Sequence, residues 1–187
     1  MERYIKLYQD VIEPGVRDSM IELFNQQDSV QRSSPIMNFT EINLNQNREV
    51  WGQYTDYLTY NFKQVLEQYR TELEITTWPE KYAFEEIRMK KYEPDIGKFD
   101  QHVDVGDYSS ARRFLVFFAY LNDGVGGETS FDTMGINIPR RAGSVLVFPP
   151  HWTYPHAGRV CRHDPKYIIG SYLHYVLSNG EGKDPPT

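Results

Sequence analysis

Apolar and polar positions follow two different periods along this chain, and the change falls near residue 80. From Asn47 onward Val50, Trp51, Tyr54, Tyr57, Leu58, Phe62, Val65, Leu66, Tyr69 and Leu73 recur at three- and four-residue spacing. That spacing places them on one face of a helix of about seven turns. The stripe is wide and aromatic, which suits a helix lying flat on a sheet. A shorter helix is predicted over 14–27, where Val16, Met20, Leu23 and Phe24 repeat at the same period behind Pro14. Proline is tolerated in a first helical turn because its missing N–H would have no partner there. Alternation over residues 4–11 reads as a short strand. Residues 28–46 are polar, with Ser33-Ser34-Pro35 and several asparagines, and predict a loop carrying at most a short strand near 36–42.

After Trp78-Pro79 the period shortens to two. Segments rich in aromatic and β-branched residues alternate with glycine- and proline-bearing turns. They predict strands near 84–92, 98–104, 113–121, 128–131, 135–139, 144–148, 155–160 and 166–176. Many short strands at regular spacing point to a sandwich or barrel rather than a βαβ sheet. With a helical layer on one face, the expected fold is mainly β with packing helices (α+β). Its core would be a double-stranded β-helix, the jelly roll also used by cupins. One domain of 187 residues is expected: a mainly helical layer over 1–80, the jelly-roll core over 81–177 and a polar, fraying tail over 178–187.

Composition then narrows the function classes. A net charge of −6 disfavours nucleic acid as a general partner. The short basic runs at 88–91 and Arg140-Arg141 read as solvated strand surface. The lone cysteine, Cys161, cannot form an internal disulfide and fits a reducing compartment. No signal-type apolar region opens the chain, and no apolar run reaches the roughly 20 residues that span a bilayer. A cytoplasmic protein without membrane contact is expected.

The chemistry concentrates in His102-Val103-Asp104. Residues i and i+2 of a strand share a face, so this imidazole and carboxylate can meet one ion. Alone, such a pair is a common surface feature in a chain with five histidines. A second histidine from a distant strand would complete one triangular face of an octahedron. Two histidines, one carboxylate and open positions are the arrangement of non-haem Fe(II) oxygenases. His156, in Pro155-His156-Ala157-Gly158, follows after several predicted strands, the path needed to cross a jelly roll and return beside the first strand. Its competitors are His151 behind two prolines, His163 in a charged turn, and His174 on the last strand in a structural or supporting place. Lys166 opens the strand after His156. It could neutralise the far carboxylate of a dicarboxylate cosubstrate inside a narrow barrel, where an unpaired charge would be costly.

With these residues in view, the sequence resembles the 2-oxoglutarate- and Fe(II)-dependent dioxygenases, and within them the prolyl 4-hydroxylase-like branch. The resemblance is carried by Tyr92, Gly97-Lys98-Phe99, His102-Val103-Asp104, Tyr120-Leu121-Asn122-Asp123, Gly126 to Phe131, Ala142-Gly143-Ser144, His156-Ala157-Gly158, Val160, Lys166 and Tyr172. It spans roughly residues 84–175. It implies that His102, Asp104 and His156 ligate Fe(II), that Lys166 pairs with the C5 carboxylate of 2-oxoglutarate, and that Tyr92 and Thr129 line the cosubstrate pocket. The implied reaction consumes O2 and 2-oxoglutarate, releases succinate and CO2, and hydroxylates an unactivated C–H bond, with ascorbate in support. Asp104 favours hydroxylation, since related halogenases lack this carboxylate. Two features depart from the branch: Tyr167 and Tyr172 stand where many relatives carry tryptophan, and the loop over 149–155 is proline-rich. The expected substrate is a prolyl residue in a peptide or protein, read by the loops over 28–46, 107–112 and 149–155. The alternatives are the same chemistry on a free amino acid or other small molecule, and a non-catalytic cupin-like binding protein.

Overall fold

What the long apolar stripe packs against decides where the site lies. The computed structural model describes residues 2–176, so the tail expected over 178–187 lies outside the described residues. After a 3-10 turn the chain runs β1 (Lys6–Tyr8), α1 (Pro14–Gln26), β2 (Val30–Ser34), β3 (Met37–Asn43) and α2 (Arg48–Glu72). It continues with β4 (Tyr82–Phe84), β5 (Arg88–Tyr92), β6 (Lys98–His102), β7 (Arg113–Tyr120), β8 (Val125–Gly126) and β9 (Thr129–Phe131). Last come β10 (Ile136–Ile138), β11 (Val145–Phe148), β12 (His156–Gly158), β13 (Cys161–Arg162) and β14 (Lys166–Tyr175). One antiparallel sheet runs β1-β11-β7-β14-β5-β3-β6-β12-β9-β10, with β2 on β3, β4 on β14, and β13-β8 as a separate pair. The sheet curls into a nearly closed barrel, the jelly-roll core the sequence predicts.

The two-residue period sorts side chains into two cores. On β7, Leu115, Phe117 and Ala119 face the helices while Val116 and Tyr120 face the barrel interior. On β11, Val145 and Val147 face the helices, and Leu146 and Phe148 face inward. Helix α2 meets the first set with Trp51, Leu58, Phe62, Val65, Leu66 and Tyr69, all buried. The Asn47 side chain caps its start by accepting from the Val50 N–H. No helix among the described residues is long and apolar enough to cross a membrane.

Three expectations change. The segment over 28–46 is a hairpin rather than a loop, and β3 inserts between β5 and β6. Its polar residues pair across the hairpin, as in Arg32 with Glu41, so strand pairing is stable without an apolar alternation. The strand expected over 84–92 is two strands, broken where the Ile87 N–H leaves the ladder for Asn45 Oδ1 and the Glu85 N–H donates to Tyr172 O. The strand expected over 98–104 stops at His102.

Candidate active site

Strands β6 and β12 run antiparallel with His156 directly opposite His102. Asp104 lies in a bend beyond the end of β6, not on the strand as expected. The bend is held by the Val105 N–H donating to Pro150 O (3.2 Å) and by Arg113 Nη1 donating to the Asp104 carbonyl (3.2 Å). Asp104 Oδ1 lies 3.4 Å from His102 Nε2, and Oδ2 lies 3.5 Å from His156 Nε2. One ligand atom from each residue falls within 4.8 Å of the others.

Backbone carbonyls fix the tautomers. His102 Nδ1 lies 2.8 Å from Asp100 O and His156 Nδ1 lies 3.1 Å from Tyr154 O. A carbonyl only accepts, so each Nδ1 carries the proton and each Nε2 presents a lone pair toward Asp104. Asp104 Oδ2 and His156 Nε2 are buried and have no hydrogen-bond partner. Converging lone pairs sealed from water are unfavourable unless a cation joins them. Two imidazoles and one carboxylate suit Fe(II). Phe99 stacks on His102 at 3.5 Å, and Phe148 meets His156 edge-on at 4.8 Å. Burial pushes the His156 imidazole down against the pull of Asp104, which keeps it neutral and able to ligate. Burial alone would push the Asp104 carboxyl up, but His156, His102 and Lys90 hold it below the usual carboxylate range.

The other histidines stay apart. His151 Nε2 contacts Arg113 O, His163 is an exposed left-handed turn residue (φ 67°), and His174 turns its Nδ1 to Tyr175 O.

Lys166, Tyr92 and Thr129 line the same cavity as the triad. Inward positions on β14 place Lys166 opposite Tyr92, and its side chain is only 2% exposed. The ammonium lies 5.2 Å from the Tyr92 ring centre and 5.5 Å from that of Tyr120, and makes no salt bridge with any described residue. Burial pushes its pKa down to about 7. Tyr120, absent from the expected site, hydrogen-bonds Thr129 Oγ1 at 2.6 Å. The alternation along β7 was the signal that could have found it.

Each basic run expected on the surface sends one residue inward, while Arg141 stays exposed. Arg140 is 3% exposed and donates to Pro165 O (3.0 Å) and Asp164 O (3.3 Å), clamping the turn that delivers Lys166. Gly124 leaves room for that guanidinium, since a Cβ there would collide with it. Lys90 lines the cavity together with Phe99, His102, Asp104, Phe118 and Gly170. These six also floor an outer groove of about 300 Å³ that continues past Arg88, Arg113 and Tyr172.

The profile of the 2OG-Fe(II) oxygenase superfamily matches residues 87–174, a span holding the triad, Lys166, Tyr92 and Thr129. Over residues 87–174 the chain belongs to the 2OG-Fe(II) oxygenase superfamily. No curated protein matches it significantly by sequence. Among solved structures, this oxygenase is similar to the viral collagen prolyl hydroxylase of Paramecium Bursaria Chlorella virus-1 in its 2OG complex. The TM-score is 0.69 at 19% identity, over 92% of this chain and 97% of that one. A Pseudomonas putida prolyl-4-hydroxylase gives 0.67 at 16% identity, over 93% and 94%. A Trichoplax adhaerens prolyl hydroxylase, in complex with a hypoxia inducible factor peptide fragment, gives 0.74 at 10% identity, over 92% and 84%. At these identities the likeness establishes the double-stranded β-helix fold.

Proposed function

We propose that this oxygenase hydroxylates a prolyl residue of a peptide or protein, with His102, Asp104 and His156 holding Fe(II) and Lys166 anchoring 2-oxoglutarate. The observation that carries the cofactor assignment is a single cavity lined by two unlike groups. The triad gives it converging, unpartnered lone pairs, and the buried Lys166 lines it without a salt bridge to any described residue. A dicarboxylate that meets both groups satisfies both.

Bound at the triad, Fe(II) would supply O2-dependent oxidation of C–H bonds, which no side chain provides. The chain's own groups bind, orient and exclude. The carbonyls of Asp100 and Tyr154 hold both imidazoles in the ligating tautomer. Lys166 takes up a proton as its partner carboxylate arrives, and Tyr120 orders Thr129 beside it. Phe131 and Phe148 pack around His156 and keep water from it, and Phe99 stacks on one face of His102. The outer groove leaves His102 and Asp104 accessible to a second molecule. The prolyl choice is supported by the fold's likeness to three prolyl hydroxylases. The test is incubation of purified protein with Fe(II), 2-oxoglutarate, O2, ascorbate and proline-containing peptides. Succinate should form along with a product heavier by one oxygen. Failure to bind 2-oxoglutarate would sink the oxygenase reading, and oxidation of only free amino acids would sink the peptide reading.

A further inference from the structure

Charged side chains line the outer groove, and one cation among them is held by no hydrogen bond or ion pair with a described residue. Arg113 donates to both oxygens of Glu85, and Arg88 meets Glu86 and Glu41. Glu41 is engaged further by Arg32 at 2.9 Å. Lys90 is the exception. Its ammonium makes no hydrogen bond or salt bridge with any described residue and rests over the Phe39 ring, 4.8 Å from the centroid. It occupies the inward position of β5 two residues before Tyr92, opposite Ile168 on one neighbouring strand and Glu41 on the other. It lines both the inner cavity and the outer groove, beside Asp104.

The site's charge balance gives this position meaning. On the reading above, Fe(II) is neutralised by Asp104 and one carboxylate of 2-oxoglutarate, and Lys166 by the other. Lys90 is left over. A cation in a partly enclosed groove is unfavourable unless an anion arrives with the occupant. We propose that Lys90 is a specificity-determining residue that binds a carboxylate carried by the substrate next to the carbon that is hydroxylated. This rests on the oxygenase reading and deepens it. For a proline substrate, the carboxylate comes from a flanking acidic residue or from proline's own free α-carboxylate.

The test uses the full chain loaded with Mn(II) and 2-oxoglutarate under argon, so that binding is read without turnover. Three probes are titrated by calorimetry: a blocked peptide with proline between two glutamates, the same peptide with glutamines, and free L-proline. At least one anionic probe should bind about 10- to 100-fold more tightly than the glutamine peptide, the range of a charge-assisted hydrogen bond. Whichever binds identifies the source of the carboxylate. The advantage should vanish in Lys90→Met and persist in Lys90→Arg. Failure of both anionic probes to exceed the glutamine peptide overturns the proposal, as does a preference that survives Lys90→Met. A loss of 2-oxoglutarate affinity in Lys90→Met would assign the lysine to the cosubstrate and overturn it too. If wild-type protein binds no 2-oxoglutarate, the oxygenase reading itself has failed, a distinguishable result.

Discussion

Replacing Lys166 by methionine should have two effects of opposite sign. Burial lowers the lysine from its ordinary 10.5 to about 7. Its folded pKa is thus below its unfolded one, so between pH 7 and 10.5 the unfolded chain holds a proton that the folded chain has released. Stability of the ligand-free protein therefore rises with pH through that window. Each pH unit is worth roughly 1.4 kcal/mol, which makes the burden about 5 kcal/mol well below pH 7 and about 4 kcal/mol at pH 7–7.5. Methionine fills similar volume without the charge. Relaxation and water entry discount the gain, so Lys166→Met should stabilise the ligand-free protein by about 1–4 kcal/mol at pH 7.5. The same change should weaken 2-oxoglutarate binding by about 10- to 150-fold, because a charge-assisted contact of roughly 1.5–3 kcal/mol is lost. Denaturant unfolding gives the first number, and calorimetric titration of the Mn(II)-loaded protein gives the second. Titration in buffers of different ionisation enthalpy should also show proton uptake by wild type above pH 7, absent in the variant. A variant that is less stable without ligand, or that binds 2-oxoglutarate within about twofold of wild type, would refute the anchor.

Asp104→Ala should lower bound Fe(II) at least tenfold by metal analysis, on the order of what loss of a mere ligand-orienting group costs; full metal occupancy would sink the triad. Saturating wild type with Mn(II) at about 100 times its Kd should add roughly 2.7 kcal/mol of stability, seen as a melting shift that EDTA reverses. Gly127→Ala places a methyl 3.2 Å from the Lys166 and Cys161 side chains at a φ of +75°, so it should cost about 1–3 kcal/mol and weaken cosubstrate binding. Unchanged 2-oxoglutarate affinity there would show that the Lys166 stem has room to move. Phe62→Ala, under the helical layer, should cost about 3–5 kcal/mol in denaturant unfolding while metal content per folded molecule stays constant.

Patterns with a strong period were legible in the sequence. Helices α1 and α2 fall where the apolar stripe places them, and the two-sided apolar runs of β7, β11 and β14 appear as strands. The convergence of His102, Asp104 and His156 was legible too, because a set of groups able to hold a metal is restricted in residue type as well as spacing. The β2–β3 hairpin was not, since its pairing rests on Arg32, Glu41 and backbone bonds rather than alternation. Charge was the least legible signal. Arg140 and Lys90 look like surface in a basic run, yet one clamps a turn and the other faces the groove. A charged residue at an inward strand position is visible only once the strand's inward phase is known. Asp104 reached its place by a bend, so the two-residue rule named the right residue for a reason that does not hold locally.

The pairing of β6 with β12 carries a consequence for assembly. His102 and His156 are cross-strand partners, and a slip of one residue in this seam would turn every β12 side chain to the opposite face. Only the native register brings both imidazoles to Asp104, so metal binding at the proposed triad would double as a proofreading step for a seam whose two histidines lie 54 residues apart in the chain. Misregistered chains would fold without affinity for iron, and metal supplied during refolding should select the correctly joined species.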